Sequence, residues 1–155
     1  MKHIDEWLDE YGRSHRNPTN KLIHWICVPL IVLSLVGLLW SLPFPAVDFL
    51  PPLMANWAVQ VVILALAYYF VVSPPLALGM LLALLVVLAL TTWMDRFPTP
   101  LWVISIAIFA AAWIGQFIGH RIEGRKPSFF VDLQFLLIGP LWLLAFVYRR
   151  LGIRY

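Results

Sequence analysis

Four stretches of close to twenty apolar residues, about 21–42, 55–72, 76–94 and 101–119, fix what this chain can fold into. About 20 such residues in a helix cross the ~30 Å of bilayer hydrocarbon, where a helix or a closed barrel alone satisfies the backbone. Proline or charge closes each stretch. Pro43, Pro45, Pro51 and Pro52 break the chain after the first, Ser73-Pro74-Pro75 makes a tight hairpin after the second, and Asp95-Arg96-Phe97-Pro98 ends the third. Composition agrees: 62% of the residues are hydrophobic and 12% charged, against about 45–50% and about 25% in soluble domains. The expectation is an all-α integral membrane protein, a four-helix transmembrane bundle forming one domain over 1–155. The net charge of +3 is too small and dispersed to point to nucleic acid. Cys27 is the one cysteine, which excludes an internal disulfide and reads as a packing residue.

Residues 1–20 mix Asp5, Glu6, Asp9, Glu10, Arg13 and Arg16 and lack an apolar core, so they are not expected to be a cleaved signal peptide. Ile4, Trp7, Leu8 and Tyr11 fall on one helical stripe, predicting a short helix that lies along the interface or caps the bundle. His3 reads as a solvated residue near the terminus. Asn17-Pro18 reads as a helix start, an N-cap followed by proline at the first helical position. The last segment, about 129–148, is long enough to cross, but Asp132, Gln134 and Gly139-Pro140 weaken it. Lys2, Arg13, Arg16 and Lys21 precede the first span and Arg121, Arg125 and Lys126 follow the fourth, whereas Arg96 alone lies between the second and fourth. The positive-inside bias therefore puts the N-terminus in the cytoplasm. Keeping Arg149, Arg150 and Arg154 on that side favours a re-entrant or interfacial last segment over a fifth crossing.

Four crossings separate His24 from His120, and an even number returns the chain to the side it left. With His15, three of the four histidines then lie at one membrane face. Asn20 and His24 share a helix face, as do Gln116, His120 and Glu123, while Gly115 and Gly119 would let a neighbouring helix approach closely. Each residue has a plainer reading. A boundary histidine is more often a hydrogen-bonded interfacial residue than a ligand; Glu123 among Arg121, Arg125 and Lys126 suits a solvated ion pair. Gln116 suits a bond to a neighbouring backbone, and Asn20 a cap. Trp25, Trp93, Trp102 and Trp113 suit a belt or packing role. The concurrence of three imidazoles is what raises a metal site beside these readings.

The two polar blocks, YGRSHRNPTNKLIH at 11–24 and GQFIGHRIEGRKP at 115–127, resemble the small membrane family that includes the fungal endoplasmic-reticulum 2-hydroxy fatty acid dioxygenase. The likeness extends through the Leu136 to Pro140 stretch. It implies an Fe(II)-dependent α-oxidation in which a 2-hydroxy long-chain fatty acid reacts with O2 and loses one carbon. It also implies His15, His24 and His120 as metal ligands. The chain departs from the fungal pattern at His15-Arg16, where that enzyme has two adjacent histidines, and at Asp95-Arg96, where it has a further one. A four-histidine site therefore does not carry over intact.

Neutral imidazoles bind Fe(II) and leave positions open for substrate and O2. On this reading Glu123 is a fourth ligand or a base, Gln116 and Asn20 orient ligands, and Arg121, Arg125 and Lys126 bind the carboxylate of a substrate drawn from membrane lipid. The site would lie at the cytoplasmic face of a bacterial inner membrane or of the endoplasmic reticulum. A zinc-dependent membrane lipid hydrolase is the enzymatic alternative, and a non-catalytic membrane scaffold the other. Transport is disfavoured because the second and third spans carry hardly a polar residue beyond Gln60.

Overall fold

A computed structural model describes residues 4–13, 15–46, 49–124 and 135–155. These form six helices and no strand: α1 Ile4–Gly12, α2 Pro18–Trp40, α3 Trp57–Val72, α4 Pro74–Met94, α5 Leu101–Ile122 and α6 Ile138–Leu151. His3, Asp48, Arg125, Lys126, Asp132 and Gln134 lie outside the described residues.

Local chemistry sets the ends. The Asn17 side chain accepts from the Thr19 and Asn20 amides at 2.9 and 3.4 Å, with Pro18 as the first helical residue. Ser73 serves twice, closing α3 with its backbone N–H on the Tyr69 carbonyl and capping α4 through its hydroxyl on the Leu76 amide at 3.4 Å. Two helices are thus joined by a single non-helical residue. The helices depart from the apolar runs where polar residues are packed inside: α2 starts at Pro18 rather than 21, and α5 continues to Ile122 rather than 119. Hydropathy stops at a polar residue; a helix does not, provided the side chain finds partners within the fold.

α2, α4 and α5 are long and apolar enough to cross a membrane, at 23, 21 and 22 residues. The expected second span is shorter. α3 has 16 residues, about 24 Å at 1.5 Å per residue. α6, with 14, reaches about 21 Å and falls well short of ~30 Å. α2 is the hub and packs on α3, α4, α5 and α6. Its longest interface is with α5, where small residues let the backbones meet. A Cβ on Gly115 would lie 2.6 Å from Cys27 Sγ, and one on Gly119 would collide with Asn20 Oδ1.

The amphipathic stripe of α1 is realised, with Ile4, Leu8 and Tyr11 buried and the helix packed on α6. α6 is pinned by its polar atoms: Tyr69 donates to the Leu137 carbonyl at 2.9 Å, and Tyr148 donates to the Pro75 carbonyl at 3.0 Å. Both contacts lie toward the α3/α4 hairpin, so α6 stays at the end of the array where α2 begins. The opposite end is closed by Trp40, whose indole N–H donates to Asp95 and whose carbonyl accepts from Asn56.

Candidate metal centre

The start of α2 and the end of α5 each bring one histidine to the same place, and the link between α1 and α2 adds a third. His15, His24 and His120 are 2%, 1% and 5% exposed. Their ring centroids are 4.1 Å (His15 to His24), 5.1 Å (His24 to His120) and 5.7 Å (His15 to His120) apart. One ring nitrogen from each lies within 4.8 Å of the other two, spacing that suits a single shared ion.

Two of the rings are oriented by their own chain. His15 Nδ1 lies 2.7 Å from the Tyr11 carbonyl and His24 Nδ1 lies 2.9 Å from the Asn20 carbonyl. A carbonyl only accepts, so each Nδ1 carries the proton and donates, and each Nε2 holds the lone pair that a metal takes. Such a second-nitrogen bond is the usual means of fixing a ligand histidine. Tyr11 also stacks on His15 at 4.3 Å and 19°. The donor set fits a first-row divalent ion: three buried imidazoles from three chain segments, two of them with the tautomer fixed.

Glu123 does not join this cluster. One carboxylate oxygen accepts from the Arg16 amide at 2.8 Å, and the other accepts from the Asn17 amide and the Asn20 side chain, each at 2.9 Å. With both oxygens so engaged, the residue ties the end of α5 to the start of α2 rather than offering itself to an ion. Burial raises its pKa, but the Asn17 amide, the Asn20 side chain, the Arg16 amide and the nearby His15 outweigh that, and the net pKa is lowered. Asn20, fully buried, acts in two directions, orienting His24 through its carbonyl and Glu123 through its amide. Gln116 is buried one turn before His120 and lines a small cavity of about 30 Å³ with Tyr11, Trp113 and Phe135.

Of the expected carboxylate-binding trio, Arg121 is exposed on the last turn of α5, and Arg125 and Lys126 lie outside the described residues. An open bowl of about 430 Å³ reaches His15 between Asp9, Arg13, Arg16, Lys21 and Arg149, with Trp142 and Phe146 on its apolar side. These cations escape sequence reasoning because α6 brings Arg149 across from a distant part of the chain. Arg16 and Lys21 flank the Asn-Pro start, a proximity that could have marked them.

Comparison with known proteins identifies the family. The model of the family described as 2-hydroxy-palmitic acid dioxygenase Mpo1-like matches residues 1–151. The chain is 31% identical over 147 residues to the 2-hydroxy-palmitic acid dioxygenase MPO1 of Saccharomyces cerevisiae, covering 94% of this chain and 79% of the yeast protein. No solved structure matches. An all-helical chain that gathers three histidines from its two polar blocks, and matches that family model almost end to end, belongs to the Mpo1-like family.

Proposed function

We propose that this protein is a membrane-embedded Fe(II)-dependent dioxygenase that shortens 2-hydroxy long-chain fatty acids by one carbon, with His15, His24 and His120 as the metal ligands. The observation that carries the reading is the trio of buried imidazoles with ligand atoms within 4.8 Å of one another. The name of the yeast relative supports the substrate class. The reaction balances without an outside reductant: a 2-hydroxy acid and O2 give the acid one carbon shorter, CO2 and water. The bond between C1 and C2 breaks, C2 becomes the new carboxyl carbon, and four electrons pass to O2.

Iron held by the three histidines would supply the binding and redox chemistry of O2. The chain's own residues do the positioning. The Tyr11 and Asn20 carbonyls keep Nε2 of His15 and His24 available to the ion, and the Glu123 tie holds the His15 and His24 segment against the helix carrying His120. The bowl cations Arg13, Arg16, Lys21 and Arg149 meet the incoming carboxylate. Arg125 and Lys126 are further candidates for that role, and Gln116 for orienting the substrate.

In this reading the chain is one membrane domain in a bacterial inner membrane or endoplasmic reticulum. α3 completes four crossings with α2, α4 and α5, and α1 and α6 sit at the interface. The positive-inside bias supports a cytoplasmic face for the histidine end. Elemental analysis and O2 uptake with 2-hydroxypalmitic acid test the proposal together. Near-stoichiometric iron and release of the shortened acid are expected. Zinc in its place, with lipid hydrolysis and no O2 uptake, would replace the reading with the hydrolase.

A further inference from the structure

Two apolar grooves of similar size open on the flank of this protein, and they differ in what they adjoin. One, of about 270 Å³, lies between α3 and α4 around Leu66, Phe70 and Leu78 and shares no residue with the small cavity beside Gln116. The other, of about 230 Å³, lies between α2, α4 and α6 and is lined by apolar side chains throughout, among them Trp25, Pro29, Ala83, Leu143 and Val147. Val28, Val32 and Pro140 line both this second groove and the cavity that Gln116 and Tyr11 border, and Tyr11 stacks on His15. The slot and the small cavity are thus neighbours that share walls; the cavity reaches Tyr11, the ring that stacks on His15, while the slot has nothing to hydrogen-bond.

Proline helps shape that slot. Pro29 has no amide to bond the Trp25 carbonyl one turn back, and both it and Pro140 line the groove with rigid rings.

We infer that the α2/α4/α6 groove holds the alkyl chain of the substrate, entering sideways from the bilayer, and that Ala83 on its α4 wall sets how long a chain fits. This rests on the function proposed above for the head-group end. The occupant is a saturated chain carrying a carboxylate because the walls are apolar throughout, while the neighbouring cavity borders Tyr11, which stacks on His15, and His15 in turn lines the cationic bowl. A bilayer lipid filling the slot without regard to the reaction is the alternative that the experiment separates.

Ala83 is exposed and small, so Ala83→Phe fills the slot from outside without opening the core. Full-length protein is compared on 2-hydroxypalmitic and 2-hydroxyoctanoic acids at equal mole fraction in mixed micelles. Ala83→Phe is expected to lower the ratio of kcat/KM for the long acid over the short one by about tenfold, the usual scale of overfilling a packed site. Iron content and turnover of the short acid should stay within about twofold. Val147→Ala, which widens the slot, should shift preference toward longer acids. Leu78→Phe, in the α3/α4 groove, should leave the ratio unchanged. A palmitic acid with a terminal diazirine gives a readout independent of turnover: it should label the α4 peptide containing Ala83 in the wild type and lose that label in Ala83→Phe. An unchanged ratio in Ala83→Phe, an equal change in Leu78→Phe, or active protein labelled elsewhere overturns the inference. Labelling at Ala83 in protein that oxidises no 2-hydroxy acid would leave the groove standing and sink the proposed reaction.

Discussion

Where α2 begins and α5 finishes, five polar side chains, those of His15, Asn20, His24, Gln116 and His120, are buried. Where α2 finishes and α5 begins, Trp40 bonds an exposed Asp95 and Trp57 bonds the Pro43 carbonyl, and the buried polar side chains are the small hydroxyls of Thr91 and Ser105. Both ends must satisfy the same helix termini, so the second shows what capping alone requires. The hydroxyls of Thr91 and of mid-span Ser34 each donate to a carbonyl of their own helix and ask nothing of their neighbours. The first end buries imidazoles from three segments against one another, an arrangement that costs desolvation and is maintained for something other than closing a helix.

Removing a ligand should break the contrast most. His24→Ala or His120→Ala is expected to abolish turnover and lower metal affinity by more than the roughly 10–100-fold lost with an outer-shell partner, read by iron content after dialysis. Gly119→Val comes next. Its side chain meets Asn20 where the helices touch, and overpacking of about 1–3 kcal/mol should appear as a lowered Tm together with lost iron.

Glu123→Gln should cost about 0.5–1.5 kcal/mol, since the exposed Arg16 amide and the part-buried Asn17 amide lose a charged acceptor, measured by denaturation in detergent. The pH dependence has a defined sign. Glu123 has a depressed pKa in the folded state, so its contribution is fully present above the ordinary glutamate range and is lost as pH falls through the depressed value. The wild type should lose that increment on acidification, and Glu123→Gln should not. Asp95→Asn, at the opposite end, is expected to shift stability by within about 0.5 kcal/mol and to leave iron unchanged; a loss of metal there would erase the distinction between the ends.

Much of this arrangement is legible in the chain. Apolar runs mark the long helices because hydrocarbon imposes a minimum length, and the reversals between them suffice to bring His24 and His120 together. Gly115 and Gly119 announce a close helix approach. The role of Glu123 is not legible, because its partners are backbone amides more than 100 residues away and amides leave no mark on residue identity. The bowl cations depend on where a 14-residue helix with little amphipathic signal comes to rest. That placement is set by Tyr69 and Tyr148 hydroxyls reaching single carbonyls, a choice no periodicity encodes.

The division of the cluster between the start of α2, with the link before it, and the end of α5 bears on biosynthesis. Two imidazoles emerge with the earliest part of the chain, and the third follows nearly a hundred residues later, after α3 and α4 have been made. A nascent chain arrested before α5 would, on the proposed function, carry an incomplete chelate, so capture of an ion would report that α5 has been made.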